Sequence, residues 1–502
     1  MTSSMVSNTA SQQTSSIHWK LGTGILTGTA LLSGLLISQP LLTCALILLI
    51  GGGWILFRYP LLTIPVVLFL MYSNIAVVAM NFHNVPGIVT KAVPALLGWP
   101  LLYSLVIRRE GIVIGPSFIW ILGFGIIQLI GTLFSARPEI SWDSLQTFLL
   151  EGIVLYLLIT NLVRTPSQLR HATWGLLIAG CLMGGVPLLQ QVTGNFDNEY
   201  GGFAQTGGEP GFGTGQVTVA GEINQKRLSG PIGEKNRYAQ VMLMLIPLGL
   251  YRMRHEKKKW LKLLAFVAMT LASVGALLAF SRSTMLVIGL VILFAACMGY
   301  VNTKRVLLGG IICLMLLLLT PQYRTRMASL ANLGVLASSG QHSSADGALK
   351  GRATEMGAAA LVFLDYPLVG VGPGMFKYVS REYGERIGYR ALKDQRQAHN
   401  LLLGVAAETG LPGLVCLLAV FWVIVSNLNR AYHSLRYSSP VLAETAIAFC
   451  LVIVAYFGSG LFLHFAFIRY FWMMIALADC CTLILLQHQK TNNTPQHFVA
   501  SI

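Results

Sequence analysis

The chain is 502 residues long, with 54% hydrophobic and only 11% charged residues, whereas roughly a quarter of an average soluble chain is charged. That balance excludes an ordinary water-soluble enzyme and points to burial in a bilayer. The net charge is +16, but the basic residues do not gather on a soluble domain, so no nucleic acid partner is expected.

Residues 1–20 are rich in Ser, Thr and Gln and lack the charged start and cleavage site of a signal peptide, so a disordered cytoplasmic tail is expected there. A crossing helix needs about 20 mostly apolar residues. Fourteen such stretches begin near residues 21, 40, 60, 88, 112, 145, 169, 238, 260, 283, 305, 399, 441 and 467. The predicted fold class is therefore all-α, a polytopic transmembrane helical bundle of about 12–14 spans. The eight cysteines all lie in apolar runs and read as small buried hydrophobes.

Lys and Arg concentrate in short cytoplasmic loops. The run Arg252, Arg254, Lys257, Lys258 and Lys259 fixes the loop between the eighth and ninth spans inside, and alternation then puts every other short basic loop inside as well. The organisation that follows is transmembrane helices over 21–192, an outer Gly-rich loop over 193–237, central transmembrane helices over 238–320, a large outer loop over 321–398, C-terminal transmembrane helices over 399–488 and a cytoplasmic tail over 489–502.

The first outer loop contains Gly207-Gly208 and Gly211-Phe212-Gly213-Thr214-Gly215, with no Gly-Lys-Ser/Thr to make it a nucleotide-binding loop. Asp197 and Glu199 are a weak acidic pair for a metal. The second outer loop carries a helical stretch from Arg352 to Tyr366, the turn Gly370-Val371-Gly372-Pro373-Gly374, and an amphipathic piece to about Ile387.

Arg227, Arg282, Arg352 and His399 border the outer face. An arginine at a membrane boundary more often reaches for lipid headgroups than for a substrate. Arg282 is different, because it stands at the outward N-terminus of the tenth span, where the helix dipole disfavours a cation unless an anion joins it. The group suits a phosphate or diphosphate. Glu151 and Glu408 lie in or near spans, where a carboxylate is costly and either functional or paired; Glu408 precedes Thr409-Gly410-Leu411-Pro412-Gly413 and is expected to shape a break in the helix.

The segment Arg352, then Pro367-Leu368-Val369-Gly370-Val371-Gly372-Pro373-Gly374, then His399-Asn400 and Glu408-Thr409-Gly410, resembles the O-antigen ligase and O-antigen polymerase family. Ser281-Arg282-Ser283 and Arg227 with Gly230 and Asn236 fit the same pattern, so the resemblance covers about residues 225 to 420. Met356 departs from it, since an aromatic often stands there. The resemblance implies a type C glycosyltransferase, multi-pass in the bacterial cytoplasmic (inner) membrane, with 321–398 as a periplasmic loop. It implies an undecaprenyl-diphosphate-linked glycan donor, a glycan or lipid A core acceptor, surrounding membrane lipids, and neither cofactor nor metal.

The expected reaction is an inverting displacement in which cations stabilise the departing diphosphate. Arg227 and Arg282 are assigned to that task, with Arg352 as a third; His399 is the general base. Asn400, Glu408, Gly370 and Gly372 are assigned to shaping the site. A lipid-linked oligosaccharide flippase or other polytopic transporter is the alternative, but transporters carry their polar residues near mid-membrane, whereas here they gather at one face.

Overall fold

A computed structural model describes residues 54, 58–206, 216–219, 223–300, 304, 344–387, 395–466 and 468–493. The chain divides into two units, Met1–Thr63 and Ile64–Ile502. In the first unit the described residues are 54 and 58–63. The spans expected near 21, 40 and 305 lie outside the described residues, as do the N-terminal tail and the glycines at 207–215.

The described chain is a bundle of helices: α1 (Pro60–Tyr72), α2 (Ile75–His83), α3 (Ile88–Ala95), α4 (Gly98–Leu102), α5 (Phe118–Leu133), α6 (Pro138–Leu162), α7 (Pro166–Thr193), α8 (Lys235–His255), α9 (Lys259–Leu278), α10 (Arg282–Cys297), α11 (Ser344–Asp365), α12 (Phe376–Ile387), α13 (Leu401–Leu435), α14 (Pro440–Gly460) and α15 (Ile468–Asn493). One short hairpin interrupts them, with β1 (Gln216–Val219) antiparallel to β2 (Ile223–Lys226) and Gln216 opposite Lys226.

Among the described residues, six helices are long and apolar enough to cross a membrane, and a seventh span forms if the bent pair α1 and α2 counts as one. The protein is a polytopic all-α membrane protein. The pair bends by 50° at Asn74, whose φ of 62° is left-handed. The span expected at 88 is broken into α3 and α4, consistent with Pro94 and Pro100 inside it. The span expected at 112 begins only at Phe118. Residues before it are held instead by Asn161, which accepts from the Val113 amide at 2.7 Å and donates to its carbonyl at 3.0 Å.

The helix expected at 145 starts earlier, at Pro138, where proline is favoured at a first turn. Glu139 and Asp143 kept its polar opening turns from reading as part of a span. Thr165 and Gln168 form a reciprocal cap at the start of α7.

α15 is buried on every side from Tyr470 through Thr482, so it is the central helix of the bundle. Phe148 of α6 packs edge-on against Trp472, with ring centroids 5.3 Å apart. Asp479, also buried, accepts from the Ser117 amide (3.1 Å), the Ser117 hydroxyl (2.5 Å) and the Tyr156 hydroxyl (2.5 Å). Glu151 pairs with Arg469 at 3.8 Å, so this intrahelical carboxylate has a structural partner. Among the described residues, all six cysteines are free.

α11 and α12 pack on the first turns of α13 around Ala358, Ala359, Val362, Phe376, Tyr383, Ala398 and Ala407. This small second core fixes the 344–387 segment to the bundle.

Candidate active site

α13 is broken at Gly410 (φ 67°, ψ −170°), in a region of backbone space that only glycine occupies readily. With Pro412 two residues on, the break strips hydrogen bonds from Ala407, Glu408 and Leu411. The Gly-rich turn replaces all three. Val371 N donates to Ala407 O (3.0 Å), Gly372 N to Glu408 O (3.1 Å), and Leu411 N to Pro367 O (2.7 Å). A Cβ on Gly370 would lie 2.3 Å from the Glu408 carbonyl carbon, and one on Gly410 would lie 2.6 Å from that of Leu368. The Glu408 side chain completes the clamp by accepting from the Phe376 amide at 3.3 Å.

The short helical piece above this break begins at Asn400. Its side chain caps Leu403 N at 3.0 Å and donates to Leu461 O at 3.1 Å. His399 therefore stands on a segment held from two sides, in the left-handed region with φ 46°.

The N-termini of α8, α10 and α13 differ in what satisfies them. Glu234 caps α8, accepting from Asn236 N (3.0 Å) and Arg237 N (2.6 Å). Asn400 caps α13. Ser281 gives α10 no side-chain cap; its hydroxyl meets that of Ser283 at 2.8 Å instead. Of these three ends only that of α10 lacks a side-chain cap, and it bears Arg282.

The cations form a connected group. Arg227 is buried; its Nε donates to Ala279 O (2.8 Å) and its Nη2 to Asn236 Oδ1 (3.1 Å). It ties the turn before Arg282 to the start of α8. Arg352 acts electrostatically on both Arg282 and His399. Among the described residues, neither Arg282 nor Arg352 has a hydrogen-bonded or ion-paired partner.

Burial pushes the His399 imidazole down to about 4, reinforced by Arg352, Arg396 and Arg237. It is neutral at pH 7 and able to accept a proton.

Sequence reasoning passed over four neighbours. Glu355 lies one helical turn beyond Arg352 on α11, a spacing that puts the two on one face, and its Oε2 is 3.6 Å from His399 Nε2. Arg237, also buried, donates to Gln240 Oε1 (2.7 Å) and His464 O (2.6 Å). The His464 ring stands edge-on to His399, centroids 5.8 Å apart, and burial holds it well below its usual range. Arg396 completes the positive surroundings. Among the described residues, no three His, Cys, Asp or Glu side chains converge as a metal site.

Residues 264–418 match the family model described as O-antigen ligase. This part of the chain is similar to O-antigen ligase domains. It spans Arg282, Arg352, the Gly-rich turn, His399 and the Gly410 break, and leaves Arg227, Arg237 and His464 outside the match. A search of curated proteins finds no match. The match supports glycan transfer in the ligase or polymerase manner, and the apolar helices support a multi-pass membrane protein.

Proposed function

We propose that the protein transfers a glycan from an undecaprenyl-diphosphate donor to a hydroxyl acceptor at the periplasmic face of the inner membrane, inverting the anomeric carbon and requiring no metal. The observation that carries this reading is the uncapped N-terminus of α10, where Arg282 stands without a partner among the described residues and within electrostatic reach of Arg352. Two like charges kept together at the positive end of a helix are disfavoured alone and favoured around a diphosphate.

The acceptor oxygen attacks the anomeric carbon as the bond from that carbon to the diphosphate oxygen breaks. The electron pair leaves on the diphosphate, where Arg282, Arg352 and the free N–H groups of α10 stabilise it more strongly than in the intact donor. The acceptor proton passes to His399. Arg227 serves by holding the Ala279 turn rather than by gripping the phosphates, since two of its donors are already engaged.

The test is transfer in vitro from a defined polyprenyl-diphosphate glycan to lipid A core, glycan and protein acceptors, with and without chelator. Glycosidic bond formation that survives chelator and inverts the anomer supports the reading. Movement of the donor between leaflets with no bond formed overturns it in favour of a flippase.

A further inference from the structure

We propose that Glu355 is the positioning residue for His399, holding the imidazole in place and stabilising the imidazolium that forms when the ring takes the acceptor proton. The inference rests on His399 being the general base. Glu355 Oε2 faces Nε2 at 3.6 Å, from a side chain only 6% exposed, and a carboxylate beside an imidazole favours its protonated form.

Among the described residues, every other charged group acting on the ring is basic: Arg352 from α11, Arg396 before α13 and Arg237 from α8, with the neutral His464 beside it. Without Glu355 nothing in that set would oppose rotation of the imidazole or help stabilise the imidazolium formed as the proton arrives. The acidic residue thus works through His399 and touches no substrate. The same carboxylate is set one turn from Arg352, so α11 delivers to the site both a cation for the leaving group and an anion for the base.

The experiment compares wild type, Glu355→Gln, Glu355→Asp and His399→Ala in transfer assays with a defined polyprenyl-diphosphate glycan, following kcat, KM and their pH dependence. Glu355→Gln preserves size but removes the charge. It should lower kcat by about 10- to 100-fold, less than the 10²–10⁴ that a general base contributes as a whole, with donor KM unchanged, and should move the acid limb of the profile to lower pH. Glu355→Asp should recover part of kcat and the wild-type limb.

An unchanged kcat and profile in Glu355→Gln, alongside an inactive His399→Ala, overturns the positioning role and leaves the base in place. Full activity in His399→Ala overturns the base itself and this inference with it. A loss confined to KM, with the acid limb unmoved, also overturns it, because that is the signature of a structural role.

Discussion

Arg227 and Ala279 are joined across 52 residues by a 2.8 Å bond from a guanidinium nitrogen to a backbone carbonyl, and this bond sets the height of the turn that presents Arg282. The cation that the sequence places beside the leaving group is in this way bound to the support of another. Arg227→Ala should therefore cost stability, about 1.5–3 kcal/mol for a lost charge-assisted bond, and lower transfer. Arg282→Ala should abolish transfer with the melting temperature unchanged or slightly raised, since it relieves repulsion from Arg352. Thermal unfolding in detergent beside transfer assays separates the two; a stable but inactive Arg227→Ala would return that residue to the diphosphate.

Arg282→Lys tests whether geometry matters beyond charge. A lysine keeps the charge but loses the planar fork that grips two phosphate oxygens. Transfer should fall by at least about tenfold, one bidentate contact being worth roughly 1.4 kcal/mol or more. Wild-type kcat in this variant would mean that a point charge suffices.

The pH dependence has a definite sign. An unfolded histidine titrates near 6.5, while folded His399 sits at about 4. Its folded value is depressed, so the unfolded chain binds the extra proton between these limits. The stability it contributes is present above pH 6.5 and lost as pH falls toward 4. The acid limb of kcat/KM should lie near pH 4, well below that of an ordinary imidazole. In kcat the limb should lie higher, because bound diphosphate offsets the arginines that depress the ring. A limb near 6.5 in both would contradict the surroundings described here.

Gly370 and Gly410 hold the clamp from opposite sides. Ala at either position meets both an adverse φ and backbone atoms under 3 Å away, a cost of about 1–3 kcal/mol from the dihedral alone. The double variant should be less destabilised than the sum of the singles, because the two glycines pack into one joint. Glu408→Ala should loosen the joint at Phe376. Denaturation midpoints and protease sensitivity of the 344–387 segment would report both effects.

The helices were legible because apolar runs announce themselves: α7, α9, α10 and α14 begin within three residues of where hydropathy puts them. The Arg352–Tyr366 helix and its amphipathic successor were equally readable from spacing and from Pro367. The misplaced edges, at Phe118 and Pro138, came from polar or broken turns that hydropathy discounts. In the candidate site, His399 and Arg282 were legible from the chemistry of helix starts. Glu355 was half legible, through its distance from Arg352, but its meeting with His399 joins residues 44 apart. The cap formed by Glu234 has little local signal, because Glu is not among the residues favoured at an N-cap. No local pattern pairs Arg237 with the carbonyl of His464.

α13 contains 35 residues, about 52 Å of helix at 1.5 Å per residue, against about 30 Å of hydrocarbon. Because the chain turns at Gly410 and the turn is locked to Pro367 and Val371, the 25 residues beyond it can lean to suit thicker or thinner lipid while the histidine-bearing tip stays level. Shortening or lengthening the acyl chains should then change the tilt of Leu411–Leu435 far more than the rate of glycan transfer.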